Sequence, residues 1–157
     1  MSERLVPRLA ALGPEHLKSV RYRADHADYV AALGDWNPAI ESGLVRNGGV
    51  ALLYGREILA MAGVAIFWEG VGQLWMRAGE RAGQFPVAVM KATREYLRTV
   101  DAILKPRRLQ CHVKADSRVN RRFIEHLGFH SEALMRAFGP EGADYVLYAR
   151  VRIGVNQ

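Results

Sequence analysis

Hydrophobic positions fall along the chain in two alternating rhythms, and their order predicts the elements. "RLVPRLAAL" is a short apolar run that predicts a strand. "GPEHLKSV" opens a helix with Pro14 in its first turn, where proline is tolerated. "ADHADYVAALG" predicts a second helix that stops at Gly34. "DWNPAIESGLVRNGG" predicts an irregular connection, because Pro38 pushes Asn37 away from the helical region. The centre is different. "GVALLYG" and "ILAMAGVAIFW" are β-rich runs separated by Arg56 and Glu57, which predicts an antiparallel hairpin. "VGQLWMRAG", reached through Gly70, makes the hairpin a three-strand meander.

The period then becomes helical. In "FPVAVMKATREYLRTVDAILKP", Val89, Tyr96, Leu97, Val100 and Leu104 share one face at i, i+7, i+8, i+11 and i+15, between Pro86 and Pro106. "LQCHVKA" alternates, with Leu109, Cys111, Val113 and Ala115 on one side and Gln110, His112 and Lys114 on the other. In "SRVNRRFIEHLGFHSE", Val119, Phe123 and Leu127 are spaced by four, with Ile124 beside them, so a short helix buries a narrow stripe. Asp116 or Ser117 can cap its start. Gly128 can adopt the left-handed conformation at its end, letting Phe129 fold back on Ile124. "SEALMRAFGPEGADYVLYARVRI" predicts two strands around "GPEG". The order predicts an α/β (α+β) fold in a single domain over residues 1–157. Its mixed, mostly antiparallel sheet would have about six to seven strands, with helices on both faces. The long-helix crossover makes "VGQLWMRAG" and "LQCHVKA" parallel neighbours.

Composition narrows the setting. Half of the residues are hydrophobic and 24% charged, a globular balance over 157 residues. The single cysteine, Cys111, excludes an intrachain disulfide and reads as a small buried apolar residue. The longest apolar run, Ile58 to Trp68, is too short to span a bilayer, and "MSERLVPRLA" lacks the apolar core of a signal peptide. A soluble protein of a reducing, cytoplasmic compartment is expected, with no membrane segment. Trp68, Trp75 and Tyr96 read as core or cleft wall, and the spacing of His126 and His130 matches no metal site.

The net charge is +6, and Lys105, Arg107, Arg108, Lys114, Arg118, Arg121 and Arg122 crowd together with Asp116 as the only acid among them. Such a cluster suits polyphosphate, nucleic acid or an acidic partner, and equally a plain solvated face. No DNA-reading module accompanies it.

This element order, with "LGF" closing the last helix, resembles the Gcn5-related N-acetyltransferase (GNAT) superfamily. The likeness covers nearly the whole chain: "GGVALLYGREILAMAGV", "GQLWMRAG", the long helix, "LQCHVKAD", "SRVNRRFIEHLGF" and the terminal strands. Within the superfamily it looks most like a phage-encoded branch that includes small internal virion proteins of T7-like podophages. "RADHADYVAALG", the tryptophan of the fourth strand and "AFGPEGADYVLY" carry that closer likeness. The resemblance implies acetyl-CoA as acyl donor and an amine acceptor. The phage branch implies phage structural proteins as partners.

The family pattern maps onto named positions. The backbone of Leu74, Trp75, Met76, Arg77 and Ala78 would hold the pantetheine arm, and Arg81, Gly83 and Gln84 would line the phosphates. Ser117 and Asn120 occupy cofactor-facing positions of the last helix. Two features depart from the pattern Gln/Arg-x-x-Gly-x-Gly/Ala and from the usual general acid. Counting from Arg77, the Gly and Gly/Ala positions hold Glu80 and Ala82; counting from Arg81, they hold Gln84 and Pro86. Pro86 removes a helix N-terminal donor and Glu80 adds like charge against a pyrophosphate. Ile124 stands four residues before Gly128, where active members often place a proton-donating tyrosine. Glu69 or Glu80 could serve as general base, and His112 has a suitable pKa. Two functions follow: an N-acetyltransferase of reduced or lost activity, or a non-catalytic phage virion or assembly protein with a basic face.

Overall fold

The computed structural model describes residues 5–24 and 48–152. The second helix expected at "ADHADYVAALG" and the connection after it lie outside the described residues. Seven strands form one sheet: β1 (Arg8–Ala11), β2 (Val50–Tyr54), β3 (Glu57–Trp68), β4 (Val71–Ala78), β5 (Arg108–Lys114), β6 (His130–Met135) and β7 (Tyr145–Val151), in the order β1-β2-β3-β4-β5-β7-β6. β4 and β5 are parallel, as the long crossover requires, while β1–β2, β2–β3, β5–β7 and β6–β7 are antiparallel. The described helices are α1 (Pro14–Ser19), α2 (Pro86–Leu104) and α3 (Arg118–His126). The expected mixed, mostly antiparallel sheet is present. The chain divides into two compact units, Met1–Val64 with Trp75–Leu97, and Ala65–Leu74 with Arg98–Gln157.

In the first unit, strand alternation sorts side chains onto two covered faces. Ala51, Leu53 and Ile58 join Leu12 and Leu17 of the α1 side in one buried cluster. Val50 and Leu52 instead face Val89, Ala92 and Thr93 of α2. Cover on both faces explains why Ile58 to Val64 reads as an unbroken apolar run rather than an alternating one. The β2–β3 turn closes at Gly55 with φ 62°. On α2, Tyr96 and Leu97 are buried as expected, and so is Thr93, whose hydroxyl donates to Val89 O at 2.7 Å. Burial pushes the Tyr96 phenol up to about 12. Leu104 corrects the expected face, being 41% exposed. Fifteen residues on, a 3.6-residue period leaves it roughly 60° off the line of Val89.

In the second unit, β5 alternates as predicted, with Leu109, Cys111 and Val113 buried. Burial pushes the Cys111 thiol up to about 12, so it is an inert core residue. Ser117 caps α3 and accepts from Asn120 N at 3.4 Å. Val119 does not join the buried stripe, because it is 73% exposed. The inward face instead runs through positions 120, 123, 124 and 127, at i, i+3, i+4 and i+7, which leaves Val119 one position off. Gly128, at φ 88°, ends the helix: its N–H reaches Glu125 O at 3.0 Å and Phe129 N–H reaches Ile124 O at 3.3 Å. Trp68 is no core residue either; it is 63% exposed at the end of β3.

Candidate functional site

The end of β4 and the turn after it gather most of the residues that the family pattern points to. Trp75 and Arg77 project from one face of β4, and Met76 from the other, toward Val89, Ala92 and Thr93. The Trp75 ring lies against β3 so closely that a Cβ on Gly63 would meet it at 2.5 Å. Arg77 is buried, its guanidinium 5.7 Å from the Trp75 ring and 6.0 Å from the Tyr22 ring, with Nη1 donating to Tyr22 Oη at 3.3 Å. The side chain of Arg77 is therefore occupied by aromatic neighbours.

Backbone pairing defines the two edges of this strand end. Gly79 N–H donates to Leu59 O of β3 at 2.8 Å. On the opposite edge, Arg23 N–H donates to Ala78 O at 3.0 Å and Glu80 N–H donates to Arg21 O at 2.7 Å. The pairing of β4 with β5 covers Val71 to Gln73. Met76 shares the parity of Ala78 and Glu80, so its N–H and C=O point to the edge away from β3. Among the described residues, no strand pairs with Met76 on that edge.

The turn then folds on itself into a 3-10 turn over Ala82–Gln84. Ala82 N–H donates to Gly79 O, Gln84 N–H to Arg81 O, Phe85 N–H to Ala82 O, and Val89 N–H to Phe85 O, the first bond of α2. Gly83 is exposed, and nothing lies within 4 Å of where its side chain would stand. The amides of Val87 and Ala88 lie in the first turn of α2, where a helix supplies no acceptor of its own. Arg81 reaches across this surface. Its Nη1 donates to Glu57 Oε2 at 2.7 Å and its Nε to Gln84 Oε1 at 3.1 Å, with the Tyr54 and Phe85 rings 5.8 and 5.6 Å away. Arg81, Gly83 and Gln84 thus come together at the positive end of a helix, which suits a phosphate. Glu57 already neutralises Arg81, and a phosphate would compete with it. Sequence reading missed Glu57 and Tyr22, since one looks like a hairpin residue and the other like part of a basic loop.

Leu74 is buried, and its part in the reading is a backbone one. Glu69 precedes β4 and Glu80 follows it. Both are exposed. Ser117 and Asn120 meet in the α3 cap. Ile124 is buried at 4% exposure and offers no proton. Beneath α3, the fully buried Tyr148 donates to Glu125 Oε1 at 2.9 Å and accepts from Arg121 Nε at 3.0 Å; burial raises its phenol. The basic cluster is divided among such contacts: Arg108 forms a two-bond pair with Glu132 at 2.9 and 2.6 Å, and Arg107 Nη1 donates to Glu69 O at 2.9 Å. Among the described residues, no group of acids, histidines or cysteine could hold a metal ion.

His112 lies on the polar face of β5, its Nδ1 3.1 Å from Gln73 Nε2 and its ring 4.7 Å from that of Phe138. Partial burial lowers its pKa, so the ring is neutral at pH 7. With the folded value below the unfolded one, the unfolded chain binds the extra proton first. The neutral ring's contribution is complete above about pH 6.5 and is lost as pH falls toward the folded value. His112→Gln should therefore flatten the decline in urea stability as pH falls below about 6.5. An unchanged profile would show that other groups set it.

No family model matches the sequence, and no curated protein matches it. Solved structures do match. A GNAT-family acetyltransferase from Streptococcus pneumoniae superposes with a TM-score of 0.71 at 13% identity, covering 94% of this chain and 100% of that one. A GNAT-family acetyltransferase from Bacillus anthracis gives 0.68 at 12% identity, over 92% and 94%. The ribosomal-protein-S5-alanine acetyltransferase of Vibrio fischeri gives 0.68 at 10% identity, over 96% of each chain. Sheet order, the parallel β4–β5 crossover and these superpositions agree that the chain has the fold of the GNAT acetyltransferases.

Proposed function

We propose that the chain is an acetyl-CoA-dependent N-acetyltransferase-like protein whose catalytic rate is reduced. The observation that carries this reading is the free edge of β4 at Met76, which runs directly into Gly83, Arg81 and the start of α2. An extended, amide-bearing ligand arm can add to such an edge as another strand would. The amides of Gly83, Val87 and Ala88, with Arg81, then offer donors and positive charge to the diphosphate at its far end. Bound acetyl-CoA would supply an activated thioester for attack by an amine.

Glu80, exposed beside this surface, is the proposed group that takes a proton from the acceptor's ammonium, directly or through water, freeing the neutral amine to attack. At Ile124 there is nothing to protonate a departing thiolate, so that proton comes from water and turnover is slow. Calorimetric titration with acetyl-CoA tests the site. Arg81→Ala should weaken binding about tenfold, the loss of one charge-assisted contact shared with solvent. Glu57→Gln should strengthen it by freeing the guanidinium. No binding of acetyl-CoA at millimolar concentration by the wild-type chain would refute the proposal.

A non-catalytic, phage-encoded virion or assembly protein is the second reading. Ile124 and the neutralised Arg81 favour it. It requires the chain to be present in purified particles and to transfer no acetyl group to a panel of amines.

A further inference from the structure

The β3–β4 hairpin ends in an apolar tip whose residues are not among those proposed to hold the acyl donor. Ile66, Phe67 and Trp68 are 45%, 48% and 63% exposed, and the Phe67 and Trp68 rings lie 5.8 Å apart. Three consecutive exposed residues of this size are unfavourable in water unless something covers them. The end of α2 and the end of β7 lie at the same end of this unit. Gly70 O accepts from Arg107 N–H at 2.9 Å and Arg108 N–H at 3.1 Å, and Arg152 N–H donates to Arg107 O at 2.8 Å. Those segments expose Ile103, Leu104 and Val151 as well.

Cations rim the apolar surface. The Arg107 guanidinium lies across the hairpin turn, so close that a Cβ on Gly70 would sit 2.7 Å from its Nη1. Lys105 is exposed just beyond α2, in a left-handed conformation with φ 45°. Of the nearby acids, Asp101 is bound by both Arg150 and Arg152, and Glu69 stands at the turn itself. The positive rim calls for a negatively charged partner.

The shape selects among such partners. Ile66 and Phe67 are neighbours on a strand and present to opposite faces, so the apolar surface wraps around the ribbon. A flat protein surface would cover one face and leave the other wet. A second copy docked symmetrically would also bring Lys105 and Arg107 toward their own counterparts. A lipid headgroup layer surrounds a projecting tip, takes up Trp and Phe at the interface, and supplies negative charge to Lys and Arg. We propose that this hairpin tip inserts into the surface of an anionic lipid bilayer, independently of any acyl transfer.

Co-sedimentation with phosphatidylcholine vesicles, with and without phosphatidylglycerol, tests this. The wild-type chain should bind the anionic vesicles, bind neutral ones weakly, and be released by high salt. Phe67→Ser combined with Trp68→Ser should weaken binding by at least about tenfold with an unchanged melting temperature. Arg107→Gln, which leaves the aromatic residues in place, should weaken it several-fold. Three outcomes would overturn the proposal. These are no binding to anionic vesicles, equal binding by the double variant, and a wild-type dimer that the double variant dissociates, which would assign the tip to a second copy.

Discussion

Gly79→Ala is expected to cost about 3 kcal/mol of folding stability or more, and to abolish the proposed acetyl-CoA binding under conditions where the chain is still folded. A Cβ at this position would lie far inside van der Waals contact with Ile58 O and 3.1 Å from Leu59 O. Both are backbone atoms of β3, which cannot swing aside as the end of a flexible side chain can. The same residue donates its N–H to Leu59 O, and its neighbours on both sides pair with Arg21 and Arg23. Gly79 is thus fixed between two backbones, and moving it displaces the turn that carries Arg81 and Gly83. Gly83→Ala is the internal control, because open space surrounds that position. It should change stability by less than about 0.5 kcal/mol. Urea denaturation of both variants gives the comparison. If Gly79→Ala unfolds within about 1 kcal/mol of wild type, the turn does not rest on β3 as described.

The contrast between these two glycines also shows where sequence reading stops. In "RAGERAGQFP" both glycines follow the same Arg-Ala pair, so the sequence alone does not tell them apart. One serves close packing, because only a glycine lets the chain touch β3, and the other keeps an open surface. Their difference depends on Ile58, twenty-one positions away in the chain, and local pattern carries no record of it. The partner of Arg81 was hidden for the same reason, since Glu57 approaches it only once the hairpin and the turn have folded. By contrast, features set within a few residues were legible. The alternation of β5, the prolines bracketing α2 and the left-handed Gly128 each follow from local chemistry. So did the crossover that makes β4 and β5 parallel, because a long helical connection returns the chain to the same end of the sheet. Intermediate cases failed by small margins: Val119 sits one position off the buried stripe, and Trp68 ends an apolar run whose cover stops short of it. An apolar run states that a strand forms; it does not state how far the cover extends.

Phe129→Ala should have the larger effect on stability, about 3–5 kcal/mol, the usual range for deleting a buried phenyl ring. Phe129 is 1% exposed, and the Arg150 guanidinium lies 5.6 Å from its ring centre. That arginine is itself anchored to Asp101 at 2.6 Å, so it is poorly placed to collapse into the space left behind. The substitution keeps the backbone N–H that bonds Ile124 O, and it keeps Gly128, so the stop signal of α3 survives. The loss therefore measures the side chain alone. Gly128→Ala reverses the design: it leaves the ring in place and forces a methyl-bearing residue to φ 88°, at a cost of roughly 1–2 kcal/mol. Chemical denaturation of the two variants separates anchoring from helix termination. If Phe129→Ala cost no more than Gly128→Ala, the "LGF" stretch would act chiefly as a helix stop. The expected ratio makes it an anchor instead, holding α3, with Ile124 on its inner face, against β7.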